Sequence, residues 1–175
     1  MKSSPLSESV QYIVKASIIA GVIYGILRVL PAEEVTSLVT AKMLTWLGVP
    51  AVSYQESGRV YLEYLYISID CTALEVVAIF LGLILAVNTK WVPKILFSIF
   101  VSGTVFVANI ARISVVYYLL EHDIPWYIAH DIFSGGLAIA AGMLFLVVSE
   151  QYMPEINQYL YILLEQFENA LPRIR

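Results

Sequence analysis

The sequence predicts an all-α integral membrane protein with about four transmembrane helices in a compact bundle. Of its 175 residues 59% are hydrophobic and only 14% are charged, where a soluble domain carries about 25% charged residues. Mean hydropathy is +0.78, so the charged residues are too few to cover a water-facing surface. Apolar stretches long enough for about 20 residues of spanning helix recur at roughly 10–30, 71–89, 95–120 and 130–149. The length fits one domain, residues 1–175.

The first span carries Lys15 and Arg28 near its ends, where long side chains snorkel to the interface. Its apolar run exceeds the roughly 7 to 15 residues of a cleavable signal core and no A-x-A site follows, so it reads as a retained anchor. Residues 31–70 form the longest connection. Pro31-Ala32-Glu33-Glu34 opens it, and Leu38, Met43, Leu44, Trp46 and Leu47 follow at near-helical spacing, the pattern of an interfacial amphipathic helix. Past Gly48 and Pro50, the β-branched and aromatic run Val60–Ile69 predicts a strand, paired with Ala51–Gln55 in a short β-hairpin. The second span opens at Cys71, the third is interrupted by Arg112, and the fourth is clean from Ile132 to Ser149. Beyond Pro154 the tail, 150–175, places Ile156, Tyr159, Leu160, Leu163, Phe167 and Leu171 on one face, which predicts an amphipathic helix.

Lys and Arg in short loops set the orientation. Lys90 and Lys94 fall in the 88–94 connection, Lys2 and Lys15 in the N-terminal flank, and Arg173 and Arg175 at the other end, whereas 121–129 has neither residue type. Both termini are therefore expected on the cytoplasmic side of the cytoplasmic membrane, with 31–70 and 121–129 outside. The ten Lys and Arg are scattered and net charge is -4, which argues against nucleic acid as a partner. A single cysteine rules out an intramolecular disulfide and a multi-cysteine metal site. No motif calls for a cofactor or a metal.

That topology carries three chemically expensive residues to one side. Cys71 opens the second span at its outer end, Arg112 lies roughly 12 Å below the outer end of the third, and His130 opens the fourth. A thiolate near a helix N-terminus and a cation is a nucleophile. An imidazole can protonate a departing amine, and a guanidinium that stays charged in the membrane can hold an oxyanion or a substrate carboxylate. The same cast makes and breaks a thioester, which is transpeptidation, or proteolysis if water accepts the acyl group.

Each residue also has a plain structural reading. Cys71 alone is a small packing residue, His130 a boundary residue, and Arg112 one half of a buried pair with Glu75, as in a non-catalytic assembly or transport subunit. Thr72-Ala73-Leu74-Glu75 matches a capping box; alternatively Glu75, on the face of Cys71, orients His130 or neutralises Arg112. Asn109, one turn before Arg112, either bonds the substrate backbone or pins the arginine. Asp131 could hold one tautomer of His130, but adjacent helical residues point apart, which favours a helix-start acid. Tyr117, Tyr118, Trp126 and Tyr127 read as an interface belt.

Cys71-Thr72-Ala73 opening one span, Asn109-x-x-Arg112 late in the next and His130-Asp131 opening the last together resemble the exosortase and archaeosortase family of membrane cysteine transpeptidases. The resemblance covers about 70–135. It implies an enzyme that acts outside the cytoplasmic membrane on exported proteins with a C-terminal sorting signal, namely a short motif, a membrane helix and a basic tail. Cys71 is then the nucleophile, with Arg112 and His130 as the other catalytic positions and Thr72, Glu75, Asn109 and Asp131 in support. The acyl acceptor implied for archaeal members is lipid-linked.

Overall fold

The computed structural model describes residues 5–170. Helix α1 (Pro5–Leu27) leads to α2 (Ala32–Trp46) and three short strands, β1 (Ser53–Glu56), β2 (Arg59–Leu62) and β3 (Leu65–Ile67). A 3-10 turn (Ile69–Thr72) precedes α3 (Leu74–Ala86), and α4 (Trp91–Glu121) follows. A π-helical turn (Tyr127–Ile132) runs directly into α5 (Phe133–Tyr152), and α6 (Pro154–Ala170) ends the described chain. Lys2, Leu171, Arg173 and Arg175 lie outside the described residues, as does the side chain of Phe167.

Among the described residues three helices are long and apolar enough to cross a membrane: Leu6–Leu27, Trp91–Glu121 and Tyr127–Tyr152. The expected second span is shorter than 71–89. Its helix, α3, has 13 residues, about 20 Å against a hydrocarbon core of about 30 Å. The chain before it is turned rather than helical, with Ala73 left-handed at φ 57, and Val87 after it is extended.

The packing is inside-out relative to a soluble protein. Val10, Val14, Ile18, Val22 and Ile26 form an exposed stripe down α1, the lipid-facing side. Small residues face inward. Gly82 of α3 meets α1 so closely that an added Cβ would lie 2.5 Å from the Ala16 carbonyl oxygen and 2.8 Å from the Ala20 Cβ, the small-residue contact that brings two membrane helices together.

Two cores result, at opposite ends of the bundle. At one end Tyr12, Ala16, Ile84, Val87, Phe97, Phe145, Met153 and Ile156 join α1, α3, α4, α5 and α6. The ring of Tyr12 stacks on Tyr159 at 4.5 Å, so α6 docks on the bundle through the apolar face read from its sequence. Here Lys15 Nζ donates to the Ala86 carbonyl at 3.0 Å and Lys94 Nζ to the Leu85 carbonyl at 3.1 Å, satisfying carbonyls that the end of α3 leaves free. At the other end Ala41, Leu44, Val60, Leu62, Leu65, Ile67, Ile113 and Tyr117 pack α2 and the sheet against α4.

For residues 31–70 the structure adds detail to one expectation and corrects another. Helix α2 exists, but its docked face is Thr36, Ser37, Thr40, Ala41 and Leu44, while Leu38, Trp46 and Leu47 are exposed. Leu38, Trp46 and Leu47 face outward as an interfacial helix presents them to lipid, Leu44 packs inward with the small residues, and Ser37 Oγ donates to the Tyr61 carbonyl at 2.9 Å. The run 60–69 is not one strand. Glu63 at φ 51 breaks it into β2 and β3, and the hairpin becomes a three-stranded antiparallel meander in the order β1-β2-β3. Tyr64 at that break stacks on Tyr117 at 5.8 Å and donates to Glu121; desolvation and that carboxylate push its phenol up to about 12, so the donor survives throughout the neutral range.

The Gly82 contact predicts that Gly82→Val costs about 1–3 kcal/mol through overpacking and lowers the thermal midpoint of the purified protein in detergent. Gly103→Ala and Gly136→Ala, where an added Cβ meets nothing within 4 Å, leave it within about 0.5 kcal/mol. Equal midpoints for Gly82→Val and the two controls would remove the close approach.

Candidate active site

Strand β3 ends at Ile67, Ser68 continues extended (φ -87, ψ 172), and the chain then tightens into the 3-10 turn that carries Cys71. The Cys71 amide closes the turn on the Ser68 carbonyl at 2.9 Å, and the Thr72 hydroxyl donates to the Ile69 carbonyl at 2.5 Å. The capping box is therefore not formed: Thr72 serves its own turn, left-handed Ala73 occupies the cap position without a side-chain bond, and Glu75 accepts from the Tyr24 hydroxyl at 3.3 Å. Glu75 thus reaches toward α1. Among the described residues no ion pair joins it to Arg112.

Helix α4 holds the turn from the other side. The buried Asn109 amide donates to the Cys71 carbonyl at 2.7 Å, and Arg112 Nη2 approaches the same oxygen at 3.5 Å. Three residues apart on a helix, the two side chains lie on one face. Asn109 thus pins the cysteine's backbone, an arrangement neither sequence reading of it anticipated.

His130 sits in the π-helical turn, where Nδ1 lies 2.9 Å from Asp131 Oδ1. Adjacent residues point apart on an α-helix, but the wider π turn lets this neighbour pair form. A carboxylate on Nδ1 favours the tautomer with the proton there, leaving Nε2 free for proton transfer. The imidazole is stacked on Trp126, 4.5 Å between centroids and 10° between planes.

Cys71, Arg112 and His130 meet in one crevice of about 30 Å³, whose walls include Tyr66, Trp126 and Ser134. The half-buried Cys71 Sγ lies 3.6 Å from Ser68 Oγ, and the buried Ser134 hydroxyl has no hydrogen-bond partner among the described residues. A second cavity of about 100 Å³ shares Arg112 and Ser134 with the crevice and opens between α3, α4 and α5 along Val76, Ala108, Leu137 and Ala141. Among the described residues no group of three His, Cys, Asp or Glu could hold a metal ion.

The sequence reading missed Ser68, Tyr66 and Ser134 and assigned Trp126 to an interface belt. A signal was present for two of them: Trp126, His130 and Ser134 are spaced by four, the interval that puts side chains on one side of a helix.

Because Asn109 is buried against a carbonyl, Asn109→Ala is expected to cost about 1–3 kcal/mol. Asn109→Asp, which opposes a carbonyl with a carboxylate, costs more than Asn109→Ala. Thermal unfolding in detergent measures both, and an Asn109→Asp protein as stable as wild type would show that the bond carries no weight.

A family model described as transmembrane exosortase matches residues 11–149, from α1 through α5 and including every residue of the crevice. No curated protein and no solved structure matches the chain. With the match covering well over half of its length, this membrane protein belongs to the transmembrane exosortase family.

Proposed function

We propose that this exosortase is a cysteine transpeptidase whose site is the Cys71–Arg112–His130 crevice, and that it processes exported proteins bearing a C-terminal sorting signal. The observation that carries the reading is the convergence of a thiol, a guanidinium and a carboxylate-bonded imidazole on one crevice. In the first half-reaction the Cys71 proton passes to His130 Nε2 and the thiolate attacks the scissile carbonyl. Arg112 donates to the oxyanion with the N–H groups not spent on the Cys71 carbonyl. Collapse breaks the C–N bond as the imidazolium returns its proton to the leaving amine, and the acyl group rests on sulfur. In the second half-reaction an acceptor amine, hydroxyl or water attacks the thioester, His130 takes its proton, and the thiol is regenerated. Asp131 holds the imidazole in the tautomer that both steps need, and Ser68 and Thr72 shape the turn behind the sulfur.

The positive-inside rule puts the Lys15, Lys90 and Lys94 end in the cytoplasm, so the crevice faces the outside near the outer leaflet. The cavity that opens between α3, α4 and α5 beside Arg112 supports lateral entry, with the substrate's membrane helix alongside the bundle and its scissile peptide beside Cys71. A lipid-linked acceptor would reach the thioester by the same side. The non-catalytic reading, in which Arg112 and Glu75 form a buried pair, draws no support from the Tyr24 partner of Glu75.

Co-expression with candidate sorting-signal proteins tests the reading. Wild type is expected to remove the C-terminal tail, and the mass left on the substrate identifies the acceptor. Cys71→Ala abolishes the change, and Arg112→Lys, which keeps the charge but loses the planar fork, lowers processing about 10²–10³-fold. Full processing by Cys71→Ser would remove the nucleophile from the mechanism, and wild-type turnover by Arg112→Lys would remove the oxyanion role.

A further inference from the structure

The sheet that leads into the Cys71 turn has an open edge on the crevice. Strand β2 pairs with β1 through Tyr54↔Tyr61 and Glu56↔Arg59 and with β3 through Val60↔Ile67, Tyr61↔Tyr66 and Leu62↔Leu65. In an antiparallel ladder, residues facing one another alternate between bonded and non-bonded pairs. The Glu63 amide donates to the Val52 carbonyl at 2.9 Å, which assigns the odd-numbered residues of this stretch to the β1 side. Val60 and Leu62 therefore bond toward β3, so Leu65 and Ile67 are the bonded residues of β3. Tyr66 faces Tyr61 in a non-bonded pair, and its N–H and C=O point outward from the sheet. Among the described residues no backbone hydrogen bond outside the sheet involves Tyr66.

Edge strands are ordinarily protected by charge, proline or a bulge. Leu65-Tyr66-Ile67 carries no charge and no proline. The backbone stays extended through Ser68, so an amide at Ser68 follows on the same edge two residues on. Leu65, Tyr66 and Ile67 all line the crevice that holds Cys71, Arg112 and His130. The rim is open, Tyr66 and Trp126 being 53% and 51% exposed.

We propose that the free edge of β3 is a docking strand on which the extended segment of a substrate polypeptide pairs by main-chain hydrogen bonds, passing its scissile bond over Cys71. The occupant is an extended peptide because the edge offers a backbone donor and acceptor at strand spacing, which only another main chain matches in both groups. The inference rests on Cys71 being the nucleophile. It adds how the scissile segment is held: substrate backbone is read by β3, and side-chain selectivity falls to the walls formed by Tyr66 and Trp126.

The test uses the full chain in lipid nanodiscs and a pool of mixed-sequence N-acetyl pentapeptidyl chloromethyl ketones. Each forms a C–S bond with Cys71 and releases chloride, so intact mass follows the reaction. Rates are taken relative to iodoacetamide on the same protein. The peptidyl pool is expected to outrun a single-residue chloromethyl ketone by at least about ten-fold. N-methylation of the peptide amide at one position erases that advantage, while methylation at the adjacent positions, whose amides point away from β3, leaves most of it. Tyr66→Pro, which removes an N–H outside the ladder as edge strands tolerate, erases it as well. Peptidyl and single-residue reagents reacting alike, or an advantage insensitive to N-methylation at every position, overturns the docking strand and leaves the nucleophile standing. A Cys71 inert even to iodoacetamide overturns both.

Discussion

The geometry of the crevice depends on one carbonyl oxygen. The turn that presents Cys71 is irregular backbone, 3-10 and then left-handed at Ala73, a conformation that costs a non-glycine residue roughly 1–2 kcal/mol. Its Cys71 carbonyl is taken by Asn109 at 2.7 Å and approached by Arg112 at 3.5 Å. A net hydrogen bond contributes about 0.5–1.5 kcal/mol, so the bond to Asn109 is of the size needed to hold the strained turn. In a bundle that crosses a membrane the constraint is sharper, because non-helical backbone at depth persists only where protein satisfies it. The short α3 is a consequence. The residues that a full-length span would spend on helix are spent on the turn, and α4 supplies the bonds that the missing helix would have made internally.

The rest of the architecture serves to keep α3 and α4 in register at that point. Gly82 seats α3 on α1 at backbone distance, and Lys15 and Lys94 close its far end. With both α3 and α4 fixed at the Tyr12–Phe97 core, the distance between Asn109 and the Cys71 carbonyl is set by rigid elements. Between the two cores, the cavities lined by Phe80, Phe100 and Thr104 and by Val76, Ala108 and Leu137 leave the α4–α5 seam less filled. Tight ends and a looser middle suit the lateral entry proposed above, beside a Cys71 turn held in place.

Much of this was legible in the sequence because it follows from hydropathy and period. The long apolar helices, the amphipathic α6, the segment 31–70 as helix then strands, and the polar positions Cys71, Asn109, Arg112 and His130 could all be placed in order. What was not legible depends on bonds between distant segments. The string Thr72-Ala73-Leu74-Glu75 satisfies the capping pattern, yet the clamp from α4 holds Cys71 in a turn and pushes the helix start to Leu74. For Asp131, α-helical geometry favours a helix-start acid over a partner of His130, and the pair forms because the turn is π-helical, which no local pattern announces. Of the apolar set in α2, Leu44 is buried while Leu38, Trp46 and Leu47 are exposed, a split that depends on where the sheet and α4 dock and that spacing alone does not announce. Nothing local announces that Glu63 takes a positive φ, and so β3 with its open edge was invisible inside a single predicted strand.

The irregular elements are not scattered. The 3-10 turn with left-handed Ala73, the π turn with His130 and the edge strand β3 each contribute wall to the same crevice, and departures of this kind cluster where geometry is held for function. Each is stabilised by a different framework: the turn by Asn109 and Arg112 of α4, the π turn by continuity with α5, the strand by the core that β2, β3 and α2 share with Ile113 and Tyr117. Helix α4 belongs to the first and third of these and packs against the second. A displacement of its sheet-side end would therefore move the carbonyl clamp, the guanidinium and the seat of the β3 edge together. Cys71, His130 and the open edge of β3 are thus tied to one 31-residue helix, which makes the docking of α2 and the sheet onto α4 a condition for assembling the crevice rather than a cover added over it.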